Sequence, residues 1–387
     1  MVDSVKITDL KTIHIKPRWM FLKIETDEGI VGWGEPVLEG RAQTVETAVH
    51  ELKRVLIGAD PLKIEHLWQL MYRGTFYRGG VVLGSAISGI EQALWDIKGK
   101  YYNMPVHEML GGACRDRVRM YGHLKPAGHP GDFPIPDMLA IAEQRLKEGF
   151  DVVKYSIIPP IRPIDNMKMV DKVVERFAAV RDYVGKDVDI AIDFHGRVSP
   201  AMSIRLLQAL EPYYPLFVEE PVLPENVDEL VRVSRSTTIP IASGERLITR
   251  WGYRELIEKQ AVAVVQPDLC HCGGIFEARK IAAMAEMYYM QIAPHNPLGP
   301  ISLAACLQLD ACIPNVLAQE HPGMPNHEDL GVGILKKPFE IENGCIRIPT
   351  GPGLGIEVDE EALEAMKFDG DWEVPHLFFE DGSIADW

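Results

Sequence analysis

The sequence has few cysteines, and their arrangement predicts neither a disulfide framework nor a soft-metal centre. Only six occur among the 387 residues, and they are scattered along the chain. Scattered cysteines in a chain of this size are expected to be reduced. The "CHC" at Cys270 to Cys272 lacks the second cysteine pair that such a metal site uses, and two glycines follow it. A metal site at this motif is therefore disfavoured.

Long apolar runs and an excess of positive charge are lacking as well. The formal net charge of −16 argues against nucleic acid or an anionic membrane surface as the main partner. No apolar run approaches transmembrane length, and "MVDSVKITDLKTIHI" has no signal-peptide core. We therefore expect a cytoplasmic protein that binds neither nucleic acid nor a membrane. An anionic small molecule stays compatible, because a local cation can reverse the field inside a cleft.

Apolar residues are abundant, at 47% of the chain, and their pattern changes near Arg117. Before that point, β-type segments around an Asp-Glu-Gly turn precede three helical patterns, which predicts an α+β domain over residues 1–115. Beyond it, eight short apolar strands alternate with amphipathic helices, which predicts a (β/α)8-type barrel over 116–348. Residues 349–387 are expected to pack back on the front domain. The predicted fold class is α/β, a modified TIM barrel with an N-terminal capping domain that the C-terminal tail completes.

An open, doubly wound sheet is the competing architecture. It would normally show fewer strands, and it would place a glycine-rich phosphate loop after its first strand. No such loop follows the first barrel strand, and "TGPGLG" near Gly351 precedes no suitable helix. The barrel is therefore favoured.

Acidic residues and histidines stand at the ends of six consecutive predicted strands. They are Asp193 with His195, Glu219, Glu245, Asp268, His295 and Glu320. In barrels of this type the C-terminal strand ends carry the chemistry. Burying six such groups is costly unless they are paired or bound to a metal. We therefore expect these residues to form one polar site.

The chemistry of this set indicates a divalent cation and an acid–base pair. Asp193, Glu219 and Glu245 end adjacent strands, and three carboxylates favour a hard cation, Mg²⁺ first. A salt bridge with Arg or Lys is the alternative for each carboxylate taken alone. An Asp268–His295 pair would make the imidazole more basic and is typical of a general base. His195 lies across the barrel beside Asp193, which suggests a general acid.

Long strings spread over nearly the whole chain carry a family resemblance: "DFHGRVS", "PLFVEEPVL", "ASGER", "QPDLCHCGGI" and "APHNPLGPISLAACL". The chain resembles the enolase superfamily, in its mandelate-racemase-like subgroup. The resemblance implies one Mg²⁺ on the three carboxylates, His295 with Asp268 as base, His195 as acid, and Glu320 as a hydrogen-bond partner of the enolate side. It further implies a sugar acid dehydratase that forms a 2-keto-3-deoxy product, with D-galactonate as the expected substrate, and a homo-oligomer.

Five residues are expected to contact the substrate, but they do not determine which hydroxyl configuration of the sugar acid is accepted. Arg18 and Arg78 lie on loops of the front domain, and Lys125, Lys154 and Ser156 follow the first two barrel strands. Ser156, Asn296 and the segments "GHLKPAGHPGDF" and "HPGMPNHED" depart from the dehydratase pattern. His123, Lys125 and His129 lie in the first of these segments and could contact different hydroxyls, or they could lie on a solvated loop. Another aldonate, such as gluconate or a C5 acid, is the alternative substrate.

Three other activities are less favoured. Racemases and cycloisomerases of the superfamily use a Lys-x-Lys on the second strand, and here Lys154 is followed by Ser156. A non-catalytic sugar-acid binder would be expected to lose a metal, base or acid residue, and none is lost. A Schiff-base aldolase acting through Lys154 would not explain three converging carboxylates.

Overall fold

The computed structural model describes residues 5–124, 134–156, 161–370 and 372–386. Its first part is a three-stranded antiparallel sheet in the order β1-β2-β3, packed on helices. A Cβ at Gly34 would lie 1.9 Å from the carbonyl oxygen of Gly89, so glycine lets the sheet approach the third helix closely. The elements are β1 (Ile7–Ile15), β2 (Trp19–Thr26), β3 (Val31–Gly34), α1 (Ala42–Leu56), α2 (Ile64–Arg73), α3 (Val81–Tyr102) and α4 (Val106–Met109).

Eight parallel strands form the second part. The strands are β4 (Arg117–His123), β5 (Val152–Ser156), β6 (Asp189–Asp193), β7 (Val218–Glu219), β8 (Ile241–Ser243), β9 (Val264–Val265), β10 (Gln291–Ile292) and β11 (Gln319–His321). They are hydrogen-bonded in sequence order from β4 to β10, and β11 pairs with β4. A single bridge between Ile292 and Val316 joins β10 to the segment that leads into β11. The strands therefore run around a ring, as the alternating pattern predicts.

A helix follows each strand up to β10. The helices are α5 (Ile135–Lys147), α6 (Met167–Val184), α7 (Pro200–Leu210), α8 (Val227–Ser234), α9 (Thr249–Glu258), α10 (Ile275–Glu286) and α11 (Pro300–Cys312). Side-chain oxygens of Asn166, Ser199 and Asn226 accept from backbone N–H groups at the starts of α6, α7 and α8. These caps satisfy donors that a helix leaves open.

The interior of the ring is filled by one buried residue from each strand unit. These are Tyr121, Val152, Ala191, Phe217, Ala242, Val264, Ala293 and Ala318, and together they form one cluster. Large aromatic and small aliphatic side chains share this space, so the centre is packed and is not a pore. The polar strand ends lie above this layer.

The tail returns to the front domain. The Lys16 amide donates to the Met366 carbonyl at 2.9 Å, and the Phe368 amide donates to the His14 carbonyl at 3.3 Å. Before the tail, β12 (Ile341–Glu342) and β13 (Cys345–Arg347) form an antiparallel pair, and β13 pairs antiparallel with β4 of the barrel. The tail itself contains α12 (Glu360–Met366), β14 (Leu377–Phe378) and β15 (Ile384–Ala385). The sequence predicts only the helix, because strands of two or three residues show no periodicity.

In the described part of the chain, no helix combines the length and apolarity needed to cross a membrane.

Candidate functional site

Strand register brings the predicted acids together at one end of the ring. Asp193 pairs with Glu219 on the neighbouring strand, and Asp268 forms a parallel bridge with His295. Asp193, Glu219, Asp268 and Glu320 are buried. Because parallel strands share their direction, these C-terminal ends meet at the same edge of the ring. The site is therefore built from the strand ends that the sequence indicates.

Lys154 lies at the centre of the carboxylates. Its Nζ is 2.7 Å from Glu219 Oε2, 2.9 Å from Glu320 Oε1 and 3.5 Å from Asp193 Oδ2. Burial alone would lower the pKa of Lys154, but the three carboxylates outweigh it and raise the pKa well above its usual value. The ammonium group is therefore charged, and it compensates acids that burial would otherwise neutralise.

The carboxylate set also offers oxygens that suit a divalent cation. Glu219 Oε1 and Glu245 Oε2 are buried without a hydrogen-bond partner, whereas Glu219 Oε2 contacts the Lys154 ammonium. Burial raises the pKa of Glu219 well above its usual value, and burial with the Glu220 charge raises that of Glu245 to about 7. Orphaned buried oxygens of this kind are the hard ligands that such a cation prefers. Among the residues described, no three His, Cys, Asp or Glu side chains already surround a common cation position; the Lys154 ammonium contacts two of the expected ligands instead.

His295 is held by Asp268 on one ring nitrogen and faces an acid with the other. Nδ1 is 2.8 Å from Asp268 Oδ2, and Nε2 is 3.7 Å from Glu245 Oε1. Burial would lower the pKa of His295, but Glu245, the Asp268 hydrogen bond and Glu320 raise it well above its usual value. The Asp268 contact leaves Nε2 as the nitrogen that can exchange a proton with a bound molecule.

His195 occupies a strained backbone position beside Asp193. Its φ is +50°, a region that residues other than glycine seldom adopt. Asp193 Oδ1 accepts from the His195 amide at 2.8 Å, and Asp193 Oδ2 lies 2.9 Å from Nε2. Strain of this kind is retained where the surroundings over-determine it, often at functional sites. The two histidines thus contact different members of the carboxylate set.

Three further contacts were not predicted. Arg246 forms an ion pair with Glu220 at 2.8 Å and donates to the His195 carbonyl at 3.0 Å. His123, expected only as a reader of hydroxyls, has its Nε2 2.7 Å from Glu320 Oε1. Glu220 and Arg246 directly follow the predicted ligands Glu219 and Glu245 in sequence, and that adjacency is the signal that could have identified them.

The predicted substrate contacts are less uniformly placed. Lys154 and Ser156 lie on β5 at the site, and Ser156 pairs in register with Asp193. Arg18 instead pairs with Glu39 at 2.7 Å and donates to the Pro297 carbonyl at 3.1 Å, and it therefore joins the front domain to the His295 loop. Arg78 lies on an exposed loop. Lys125 and His129 fall outside the described residues.

The chain is similar to known proteins over most of its length. Residues 6–111 match the family "Mandelate racemase / muconate lactonizing enzyme, N-terminal domain", and residues 137–362 match "Enolase C-terminal domain-like". The chain is 50% identical to a D-galactonate dehydratase of Variovorax paradoxus and 49% identical to one of Cronobacter sakazakii, with 99% of this chain and 100% of each relative covered. A solved mandelate racemase/muconate lactonizing enzyme from Sulfitobacter is 35% identical with a TM-score of 0.88, over 95% of this chain and 97% of that one.

Proposed function

We propose, from the premise that this chain belongs to the mandelate racemase and muconate lactonizing enzyme family of the enolase superfamily and is a sugar acid dehydratase, that its substrate is D-galactonate. The relatives that share about half of its residues over their whole length carry that activity in their names. The observation in the site that carries the proposal is the placement of two histidines on different carboxylates of one buried set.

The proposed reaction removes water across C2 and C3. His295 Nε2 takes the C2 proton, while Asp268 holds the hydrogen on Nδ1 and stabilises the imidazolium that forms. His195 donates a proton to the departing 3-hydroxyl, which leaves as water. The resulting enol then gains a proton at C3 and gives the 2-keto-3-deoxy acid. Glu320, held by Lys154 and the Asn296 amide, would contact the enolate side.

A divalent cation, which we propose to be Mg²⁺ held by Asp193, Glu219 and Glu245, would neutralise substrate carboxylate charge and make the C2 proton more acidic. The unpartnered oxygens of Glu219 and Glu245 support this assignment. Neutralising these acids would also return His295 toward the neutral form that a base needs, because Glu245 is one of the groups that raise its pKa.

The experiment is a screen of purified protein with Mg²⁺ against D-galactonate, gluconate and C5 aldonates, with detection of 2-keto-3-deoxy product. We expect D-galactonate to be consumed and activity to disappear on chelation. Turnover of a different aldonate would correct the substrate, and product formation by metal-stripped protein would contradict the cation.

The histidine roles are separated by exchange of the C2 hydrogen with deuterated solvent. His295→Asn should stop dehydration and exchange together, because the base is lost. His195→Asn should stop dehydration but retain exchange, since base and cation ligands remain. His376→Asn, at an exposed position in the tail, serves as the matched control and should behave as wild type. Exchange lost only in His195→Asn would reverse the two roles.

We also propose a cytoplasmic homo-oligomer with closed symmetry. The support is the expectation that proteins of this family form homo-oligomers, and the mass of the protein in solution tests it.

A further inference from the structure

One face of α3, in the front domain, carries four buried polar side chains that all reach toward the barrel segment 268–276. They are Ser85, Ser88, Glu91 and Gln92. Ser88 stands three residues after Ser85, and Glu91 and Gln92 stand three and four residues after Ser88, so successive members are neighbours on the helix surface. Buried polar groups need partners, and these find theirs in the segment that starts at Asp268. The front domain therefore meets the barrel through a polar stripe at this place.

The stripe provides hydrogen-bond acceptors for backbone N–H groups at the start of α10. Glu91 accepts from the Ile275 amide at 2.7 Å and from the Phe276 amide at 2.9 Å. The contact is close, because a Cβ at Gly274 would lie 2.1 Å from Glu91 Oε2. Ser88 Oγ accepts from the Gly273 amide at 2.9 Å, and Gln92 Nε2 donates to the Leu269 carbonyl at 3.0 Å. The backbone that follows Asp268 is thus held by side chains of another domain.

Ser85 reaches Asp268 itself through His271, the histidine of the "CHC" motif. The Ser85 hydroxyl donates to the Val81 carbonyl at 2.8 Å, so its oxygen is left to accept from His271 Nδ1 at 2.9 Å. This arrangement places a hydrogen on Nδ1 and turns Nε2 toward Asp268 Oδ2, at 3.6 Å, where an imidazolium ring would also present an N–H to the carboxylate. The imidazole is buried. Its orientation is therefore set from the front domain.

Asp268 Oδ2 is also the oxygen that contacts His295. It lies 2.8 Å from His295 Nδ1, while Oδ1 accepts from the Cys270 amide at 2.7 Å. One carboxylate oxygen thus has an imidazole on either side. Rotation of the Asp268 carboxylate would have to displace both rings.

We propose that His271 is a positioning residue, anchored to α3 by Ser85, that holds Asp268 in the orientation in which it orients the base His295. The inference rests on the proposed function for the role of His295. The "CHC" motif, for which the sequence disfavours metal binding, thereby has a part in aligning the base. Proton abstraction would then also depend on the packing of the front domain against the barrel.

The test compares Ser85→Ala and His271→Asn with Ser203→Ala, a buried serine of α7 that serves as the matched control. In both test variants we expect kcat on the accepted aldonate to fall about 10- to 100-fold, by analogy with the range found when a group that orients a metal-ligating side chain is removed. KM should change little, because no substrate contact is lost. Ser203→Ala should keep the wild-type kcat.

A second measurement needs no substrate and separates positioning from loss of folding. The imidazole N–H resonance of His295 in ¹⁵N-histidine-labelled protein is identified by its loss in His295→Asn. It should shift in Ser85→Ala and His271→Asn and stay in place in Ser203→Ala. An unmoved resonance in the two test variants, or a moved resonance with unchanged kcat, would overturn the proposal. If wild-type protein dehydrated no aldonate, the proposed function would fail, while the resonance would still decide whether His271 positions Asp268.

Discussion

At the scale of single residues, the site is organised by one buried cation. The ammonium group of Lys154 contacts Asp193, Glu219 and Glu320, and its side chain is 2% exposed. Three carboxylates in a buried space repel one another and resist ionisation. Lys154 offsets this repulsion, and it lowers the pKa of Asp193 and Glu320 against the effect of burial. The residue that is predicted to contact the substrate thus also balances the charge of the acids.

Replacing that cation tests this view. Lys154→Met keeps the volume but leaves buried acids without a partner, so we expect a loss of about 3–5 kcal/mol in the free energy of unfolding. Urea unfolding with a chelator present measures it, since a divalent cation would neutralise the same acids. Exposed Lys168→Met is the control, and it should stay within about 0.5 kcal/mol. Equal stability of the two variants would show that Lys154 does not balance the site.

At the scale of elements, the front domain caps helices of the barrel with buried glutamates. Glu35, just after β3, accepts from the Gly299 amide at 2.8 Å and from the Ser302 amide at 2.9 Å, at the start of α11. Glu91 does the same for α10. Burial raises the pKa of each carboxyl group to about 8, although the backbone donors oppose the shift. α11 begins shortly after His295 and α10 begins shortly after Asp268, so the two glutamates hold the backbone that follows these residues.

The Glu35 cap predicts a dependence of stability on pH. Its folded pKa of about 8 lies above the ordinary 4.5, so the folded protein binds more protons than the unfolded chain between these values. Stability contributed by this group is therefore lost as the pH rises from 4.5 to 8. Glu35→Gln removes the group, and its unfolding free energy should fall less steeply between pH 5 and 8, by at most about 1.4 kcal/mol per pH unit.

Urea unfolding at several pH values measures these slopes. Exposed Glu380→Gln provides the control and should keep the wild-type slope. A Glu35→Gln slope equal to that of wild type would show that Glu35 is already ionised throughout this range.

At the scale of the whole molecule, contacts link the tail, the front domain and the loop that carries His295. The tail contacts the sheet of the front domain, and its Trp372 lies 5.1 Å from the Arg18 guanidinium, which itself reaches the His295 loop. The division at residues 115 and 348 stays a prediction. On the loop that also bears Arg78, Phe76 and Tyr77 are 91% and 85% exposed. Large exposed aromatic side chains of this kind are suited to cover by a partner protomer.

Assembly is tested by static light scattering at micromolar concentration. We expect a mass that is a multiple of the 43.4 kDa chain, because family members with a capped barrel are commonly oligomeric. Phe76→Ser with Tyr77→Ser would lower that mass if this loop lies at the interface. A wild-type mass of one chain would contradict the homo-oligomer.

The sequence alone determined the alternation of strands and helices, the family and the residue types at the strand ends. These follow from local periodicity and from sequence strings that can be recognised without knowledge of contacts. The comparisons confirm the fold class and the dehydratase family. The roles of Asp193, His195 and the other site residues stay predictions, as do Mg²⁺ and the cytoplasmic location.

Only the tertiary structure decided which of these side chains meet. Lys154 and Glu320 are 166 residues apart, and Ser85 and His271 are 186 apart; nothing in local periodicity relates such positions. Arg18 pairs with Glu39 and donates to the Pro297 carbonyl, contacts that depend on the packing of elements around it, and its role at the substrate stays a prediction. The sequence determines which residue type stands at each strand end. Which of these side chains contact one another is decided by the closure of the strand ring and by the packing of the front domain against it.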